Sequence, residues 1–513
     1  MRSSLLDFDI EEALKRFLSR YYTPIQTLGI AFVINLFVYG QRLFGGGLAA
    51  DDISRFYQSG GEQASWLGRW FGGIMSQAIF SGPLHILPYF NGLIGIFFIT
   101  LAGYLTALLF FTEKRFPAIV VTLLCSATPF MIHNMFFSTN TVVFIGIALG
   151  VGGLLLAYEK SILLKALGLI MLVFSIGTYQ TIIQIGCVVI LFRAAFELGK
   201  ATDKSSVRHV MVQGFCMAVF LGVAFFLSNL VNLAVSTLAG EATSGRYAES
   251  MEVTSMMVYV DRFIGCYSIH TQLNFFSAPY SMGVKLFAVF GIGLLSLYLE
   301  LYKPRHLLSL RGLFFIGFVV SLPVIINLPR LLGPEIPTRA HFTIGWIMAA
   351  FFMLSYGYRI WAKNIGLTLS LYLLLFGVLY INSFLYAATR QTDMDIIRAN
   401  QIVSAIRMHP DYPGEITPMK FRVVGVGSLT VVGWGLHRQS AFATDWSNTK
   451  IFEHFTDLNF EGLSEAELSD IKNSVIESGR RILPYPHPSS IFIHENKVVV
   501  VIDPDELIQP DQL

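Results

Sequence analysis

The sequence predicts an all-α polytopic membrane protein with a small α/β domain outside the bilayer at its C-terminal end. Three observations predict it. Of 513 residues, 54% are hydrophobic and only 14% are charged, against about 25% charged in an ordinary soluble domain. Eleven apolar runs approach or reach the length needed to cross a hydrocarbon core, which takes about 17–25 residues. From about residue 388 that apolar character stops, and helix and strand patterns alternate.

Taken in order, residues 1–22 mix acids and bases, and the run after them is too long for the apolar part of a signal peptide. Asp9 is placed to cap a helix with Ile10, Ala13, Leu14, Phe17, Leu18 and Tyr21 on one face. That amphipathic face is expected to lie on the inner membrane surface. The crossings are expected at 23–43, 91–111, 117–136, 138–157, 162–178, 179–196, 210–233, 283–301, 312–328, 342–358 and 364–386. Runs of this kind are read as helices because lipid leaves no partner for unpaired backbone groups. Polar turns at Ser138-Thr139-Asn140 and Gly177-Thr178-Tyr179-Gln180 split two longer stretches.

Lysine and arginine set the orientation. With the N-terminus inside, inner segments hold Arg2, Lys15, Arg16, Arg20, Lys114, Arg115, Lys160, Lys165, Arg193, Lys200, Lys204, Arg208, Lys303, Arg305, Arg311, Arg359 and Lys363. Outer loops hold Arg55, Arg69, Arg246, Arg262, Arg330 and Arg339. Merging either split pair would flip every later loop. The expected organisation is a cytoplasmic amphipathic helix at 1–22, a transmembrane domain at 23–387 with long outer loops 44–90, 234–282 and 329–341, and an exterior domain at 388–513. In that domain Met394–Arg407 and Ser464–Ser478 read as helices. Phe421–Val426 and Thr430–Val432 read as strands, and Ser490–His494 with Lys497–Ile502 as a hairpin around Glu495-Asn496.

Net charge is +2, so the overall balance implies no nucleic-acid partner. Cys125, Cys187 and Cys216 fall in apolar runs and read as packing residues; Cys266 falls in an outer loop. No metal-binding or disulfide spacing is present. His270 and His341 lack any metal-ligand spacing too.

Ionisable residues concentrate in the outer loops and tail rather than in the crossings. Chemistry is therefore expected at the outer membrane–water boundary. Asp51 and Asp52 follow the first crossing directly. There a carboxylate can serve as general base on a sugar hydroxyl, and Arg55, Arg69, Arg246, Arg262, Arg330 and Arg339 can hold a lipid phosphate through planar, permanently charged forks. Solvated boundary charges would look the same in sequence. A second pattern in this loop is the stripe Trp66, Leu67, Trp70, Phe71, Ile74, Met75, Ala78 and Ile79, expected to form a helix lying flat on the outer surface.

The stretch GGGLAADDISR followed by WLGRW, behind an N-terminal helix and a first crossing, resembles the integral-membrane glucosyltransferases that modify O-antigen. These include the type II Gtr enzymes of serotype-converting phages. The resemblance covers residues 20–390 in layout and is sharpest in the first outer loop. It implies a GT-C-like fold in a bacterial inner membrane, with the N-terminus cytoplasmic and the C-terminal domain periplasmic. It further implies an inverting reaction in which glucose passes from undecaprenyl-phosphate-glucose to a sugar hydroxyl of an O-antigen acceptor. Asp51 or Asp52 takes the place of the base; the arginines remain candidates from chemistry alone. No cofactor is implied, although a divalent metal stays open. A flippase and a donor-synthesising glucosyltransferase are the implied functional neighbours. Two alternatives remain: another polyprenyl-phosphate-sugar transferase or O-antigen polymerase, and a lipid-linked-sugar flippase or transporter.

Overall fold

A computed structural model describes residues 10–45, 52, 69–80, 88–110, 114–136, 141–201, 203–238, 256–272, 291–299, 310–328, 331, 342–358, 360–414, 419–424, 440–443, 445–477 and 483–502. The helices are α1 (Ile10–Val38), α2 (Gly40–Phe44), α3 (Trp70–Phe80), α4 (Pro88–Leu108), α5 (Arg115–Ser126), α6 (Ile132–Met135), α7 (Thr141–Ala157), α8 (Ile162–Thr178), α9 (Ile183–Lys200), α10 (Lys204–Leu238), α11 (Met256–Gln272), α12 (Leu310–Ile326), α13 (Ile344–Tyr358) and α14 (Ile360–Arg407). Residues 291–299 are helical as well. Among the described residues four helices are long and apolar enough to cross a membrane: Tyr89–Leu108, Gln180–Lys200, Lys204–Leu238 and Ile360–Arg407. Six shorter apolar helices lie at Thr23–Val38, Arg115–Ser126, Thr141–Ala157, Ile162–Thr178, Arg311–Ile326 and Ile344–Gly357.

Three boundaries differ from the sequence reading. The amphipathic segment and the first crossing are one helix, running from Ile10 to Val38 through Pro24. The run expected at 117–136 is interrupted after Ser126. Thr128 is extended (φ −89°, ψ 142°) before a 3-10 turn at Pro129–Met131 and the short α6. Proline explains the break, because its ring disfavours the α conformation in the residue before it. Finally, no break separates the last crossing from the C-terminal domain: α14 is a single 48-residue helix.

Small residues let the helices approach. At the α7–α8 contact, a Cβ on Gly153 would stand 2.7 Å from the Gly168 carbonyl oxygen, and one on Gly168 only 2.6 Å from that of Gly153. Backbone meets backbone there, as in membrane packing driven by van der Waals contact. Cations gather at one end of the bundle. Arg193 lies 3.7 Å from the Tyr158 ring centroid and Lys200 3.8 Å from that of Phe196, while Lys114 and Lys363 share Tyr356. Arg115 donates to Gln26 at 2.9 Å.

The C-terminal residues form a four-stranded sheet in the order β2-β1-β4-β3, with β1 Met419–Val424, β2 Phe460–Gly462, β3 Ile491–His494 and β4 Lys497–Val501. β1 runs parallel to β2 and β4; β3 and β4 make an antiparallel hairpin turning at Glu495, whose φ is +55°. Alternation puts Met419, Phe421, Val498 and Val500 on one face, against Ala399, Ile402, Val403 and Ile406 of α14. Val424, Val499 and Val501 face Leu468 and Ile471 of the helix Glu465–Glu477. Ser464 and Glu467 cap that helix reciprocally: the Ser464 backbone N–H donates to Glu467 at 3.0 Å and the Glu467 N–H to Ser464 Oγ at 3.4 Å. The strand expected at Thr430–Val432 lies outside the described residues.

Asp395, nine residues beyond the apolar stretch 364–386, pins this sheet region to α14. Its carboxylate accepts from Gln391 and Ser440, each at 2.9 Å, and from the Ala441 backbone N–H at 2.7 Å. Burial is the largest influence and pushes its pKa up to about 6, against the lowering effect of those three donors and Arg398. The folded value lies above the unfolded one, so the folded state binds the proton more tightly. That stabilisation is complete below about pH 4 and is lost as pH rises through about 6, about 3 kcal/mol in all. Thermal melts of the purified protein are expected to shift downward from pH 4 to pH 7, and Asp395→Asn is expected to remove most of that slope.

Candidate functional site

The end of the bundle opposite the cations is where helices break. Helix α1 stops at Val38, Tyr39 leaves helical geometry (φ −106°, ψ 14°), and α2 restarts at Gly40. Buried polar bonds fix this corner. Asn35 donates to Thr100 at 2.8 Å and to Ser126 at 2.7 Å, and the Tyr39 hydroxyl donates to the Ser126 carbonyl at 2.5 Å. From α14, Asn382 donates to the Val38 carbonyl at 3.1 Å. Those bonds supply partners to a chain reversal that lipid could not solvate. Gly92 lets α2 press on α4, because a Cβ there would meet Leu43 at 2.9 Å.

The corner presents Arg42 inward. It is only 3% exposed, and its Nε donates to the Met135 carbonyl at 3.0 Å. Asp52 is 0% exposed, and its charge acts on Arg42. A buried cation and a buried anion thus lie within electrostatic reach of each other just past the first crossing. Sequence reading missed Arg42 by counting it as the tail of the crossing 23–43. The available signal was an arginine inside an apolar run, which marks function or pairing because its burial is costly.

Arg69 stands beside a second break. The sequence splits 162–196 at Gly177-Thr178-Tyr179-Gln180, and α8 does end at Thr178, with Tyr179 extended (φ −160°, ψ 112°). The Arg69 guanidinium lies 4.6 Å from the Tyr179 ring centroid, a cation–π contact. Next to it Trp70 Nε1 donates to Ser228 at 3.3 Å, and the Phe71 ring stacks on Phe174 at 4.5 Å. The α3 packing face corrects the expected stripe. Trp70, Gly72, Gly73 and Ser76 are buried, while Ile74 and Ala78 are exposed. Helix α3 packs on α8, α7 and α10 with its small residues. Trp66 and Leu67 lie outside the described residues.

Tyr179 leads toward the other elements at this end of the bundle. Its ring is 6.4 Å from Phe342, and Thr343 donates to Gln184 at 3.5 Å. Gln184 in turn donates to the Ile326 carbonyl at 3.1 Å. Asn327 follows and donates to the Cys266 carbonyl at 3.0 Å, one turn along α11 from Arg262. Arg262 itself donates to the Leu331 carbonyl at 3.3 Å. Cys266 is therefore a buried helical residue rather than a loop residue.

Asp52, Arg69 and Arg262 thus lie at one end of the bundle, each with a named neighbour. Asp51, Arg55, Arg246, Arg330 and Arg339 lie outside the described residues. Among the described residues no three His, Cys, Asp or Glu side chains group as a metal site. What the arrangement offers chemically is carboxylate and guanidinium groups at a boundary where backbone, not lipid, supplies the polar partners.

A family model described as glucosyl transferase GtrII matches residues 43–356, more than half of the chain. The match starts beside Arg42 and closes near the end of α13, so it takes in Asp52, Arg69 and Arg262. No curated protein and no solved structure matches the chain.

The Arg42–Asp52 pair has a measurable cost when split. Arg42→Leu leaves a buried carboxylate without its counter-charge and is expected to destabilise the protein by about 3–5 kcal/mol. The double variant Arg42→Leu/Asp52→Leu is expected to recover most of that loss, read as melting temperature and monodispersity in detergent.

Proposed function

The chain belongs to the GtrII glucosyl transferase family, and on that premise we propose that it transfers glucose from undecaprenyl-phosphate-glucose to a hydroxyl of an O-antigen sugar. The transfer takes place at the periplasmic face of a bacterial inner membrane. The observation that carries this reading is the buried Arg42–Asp52 pair at the edge of the matched region, at the end of the bundle away from the clustered cations. Positive residues favour the cytoplasmic side, so the lysine-rich end is inner and the end that holds Asp52 outer.

In the proposed topology all eleven apolar runs cross, residues 1–22 stay cytoplasmic, 23–387 form a GT-C-like domain, and 388–513 are periplasmic. In the reaction an acceptor hydroxyl oxygen attacks the anomeric carbon. The bond from that carbon to the lipid-phosphate oxygen breaks, and the phosphate leaves with the electron pair. A carboxylate takes the hydroxyl proton, contributing about 10²–10⁴ in rate. One displacement of this kind inverts the anomeric centre. Asp52 is buried in the field of Arg42, so the base role is assigned to Asp51 in this scheme. Arginines of the outer loops (Arg55, Arg69, Arg246, Arg262, Arg330 and Arg339) are the groups to receive the lipid phosphate, since preorganised charge where negative charge develops is the strongest aid to such a step.

Two measurements test this. Asp51→Asn is expected to lower glucosyl transfer from undecaprenyl-phosphate-glucose in membranes by about 10²-fold or more, with the protein still folded. Asp52→Asn is expected to weaken folding together with activity. Full transfer in both variants would remove the aspartates from the mechanism. Because guanidinium groups carry the phosphate charge in this scheme, transfer is expected to survive EDTA; loss under EDTA with recovery on adding Mg²⁺ or Mn²⁺ would replace arginine by metal.

A further inference from the structure

The basic end of the bundle carries a feature that sugar transfer does not use. Cations from four elements converge there around two rings. Lys114 and Lys363 lie 5.8 and 4.9 Å from the Tyr356 ring centroid, and Lys200 lies 3.8 Å from that of Phe196. Gly357 brings the rings together, since a Cβ on it would stand 2.4 Å from Phe196 Cε2. The Lys114 and Lys200 ammonium groups are close enough to repel each other. From α12, Arg311 donates to the Ala201 carbonyl at 2.5 Å. The nearby carboxylate of Glu197 accepts from Arg193 at 3.0 Å. Like charges held together in this way create a strong potential for an anion.

Beside Lys200 the surface opens into a depression of about 460 Å³, lined by Lys200, Glu197, Ser205, Ser206 and His209. From its lip α10 turns an apolar stripe outward. Val212, Phe215, Val219, Val223, Phe226 and Leu230 are each more than two-fifths exposed. They recur every three or four residues and span about 27 Å of helix, close to the depth of a hydrocarbon core. Polar depression and apolar track are thus continuous, in the order that a phospholipid presents its headgroup and chains.

We propose that this end binds one anionic membrane phospholipid, with its phosphodiester in the depression against Lys200, in the added field of Lys114 beside it, and its acyl chains along the Val212–Leu230 face. Ser205 contributes a hydroxyl donor to the phosphate oxygens, whereas the Ser206 hydroxyl is committed to the Asp203 carboxylate. The site rests on the chain being a membrane protein and is independent of which sugar is transferred. Basic pockets between helices at the inner face suit such headgroups, and each lysine near the surface strengthens the attraction by about fivefold.

Native mass spectrometry of the purified full-length protein, titrated with dioleoyl phosphatidylglycerol or dioleoyl phosphatidylcholine, tests the site. Wild type is expected to retain phosphatidylglycerol at about tenfold lower lipid concentration than phosphatidylcholine. Lys200→Gln and Lys114→Gln are each expected to weaken phosphatidylglycerol binding by about fivefold, whereas Lys165→Gln, the same charge change on the first turn of α8, is expected to leave it unchanged. Inorganic phosphate is expected not to displace the lipid. Equal retention of the two lipids by wild type would overturn the proposal without reliance on any variant. So would an equal loss in Lys165→Gln, which would reduce the effect to overall charge, or displacement by inorganic phosphate, which would give the depression to a soluble anion.

Discussion

An arginine that is 3% exposed must have its charge answered locally, and Arg42 obtains that from Asp52 and the Met135 carbonyl. Breaking such a buried pair costs more than forming it gains, so the geometry around it is held firmly. Helix α1 has to stop before Tyr39 to aim α2 inward, α4 has to offer Gly92 as a seat, and Thr128 has to leave the α conformation so that the short helix ending at Met135 takes a new direction. The chain just past the first crossing is consequently anchored to the interior of the bundle.

The same logic extends across that end. Backbone groups freed where α1, α5 and α8 break are satisfied from inside the protein, as membrane-depth irregularity requires. Asn35, Gln184, Asn327 and Asn382 each supply a side-chain amide to a polar group on another helix. Their spacing along the chain is wide, so each bond ties distant segments together. At the other end lysines rest on aromatic faces. Side-chain amides thus tie the helices together at the first end, while the second gathers more positive charge.

Much of the helical layout was legible because hydrophobic length reports directly on the solvent a helix needs. The apolar helices at 141–157, 162–178 and 344–357 lie where their runs place them. Helix ends were less legible. Hydropathy drops where α14 leaves the apolar stretch, yet its backbone continues to Arg407, because a helix ends where its hydrogen bonds end, not where its surroundings change. The face of α3 was misread for a related reason. Against lipid an apolar residue such as Ile74 can stay outside while small residues share the protein contact with Trp70, as Gly72 does against Thr178. At the site, Asp52 and Arg69 stood out as charges near a boundary. Arg42 did not, because its apolar neighbours hid it within a crossing, and the carboxylate whose field it feels is ten residues further on.

Helix α14 joins the two parts of the molecule without a joint. From Tyr386, at the close of the apolar stretch, thirteen residues lead to Ala399, the first α14 side chain in the sheet's core. At the helical rise that distance is about 20 Å. The helix therefore works as a fixed mast. The sheet's height above the apolar layer and its bearing around the bundle axis are set by a count of residues, each adding about 1.5 Å and about 100° of turn. Chain length between those two points is thus a coordinate: gaining or losing one residue there would swing the sheet to a different compass direction while barely altering its altitude.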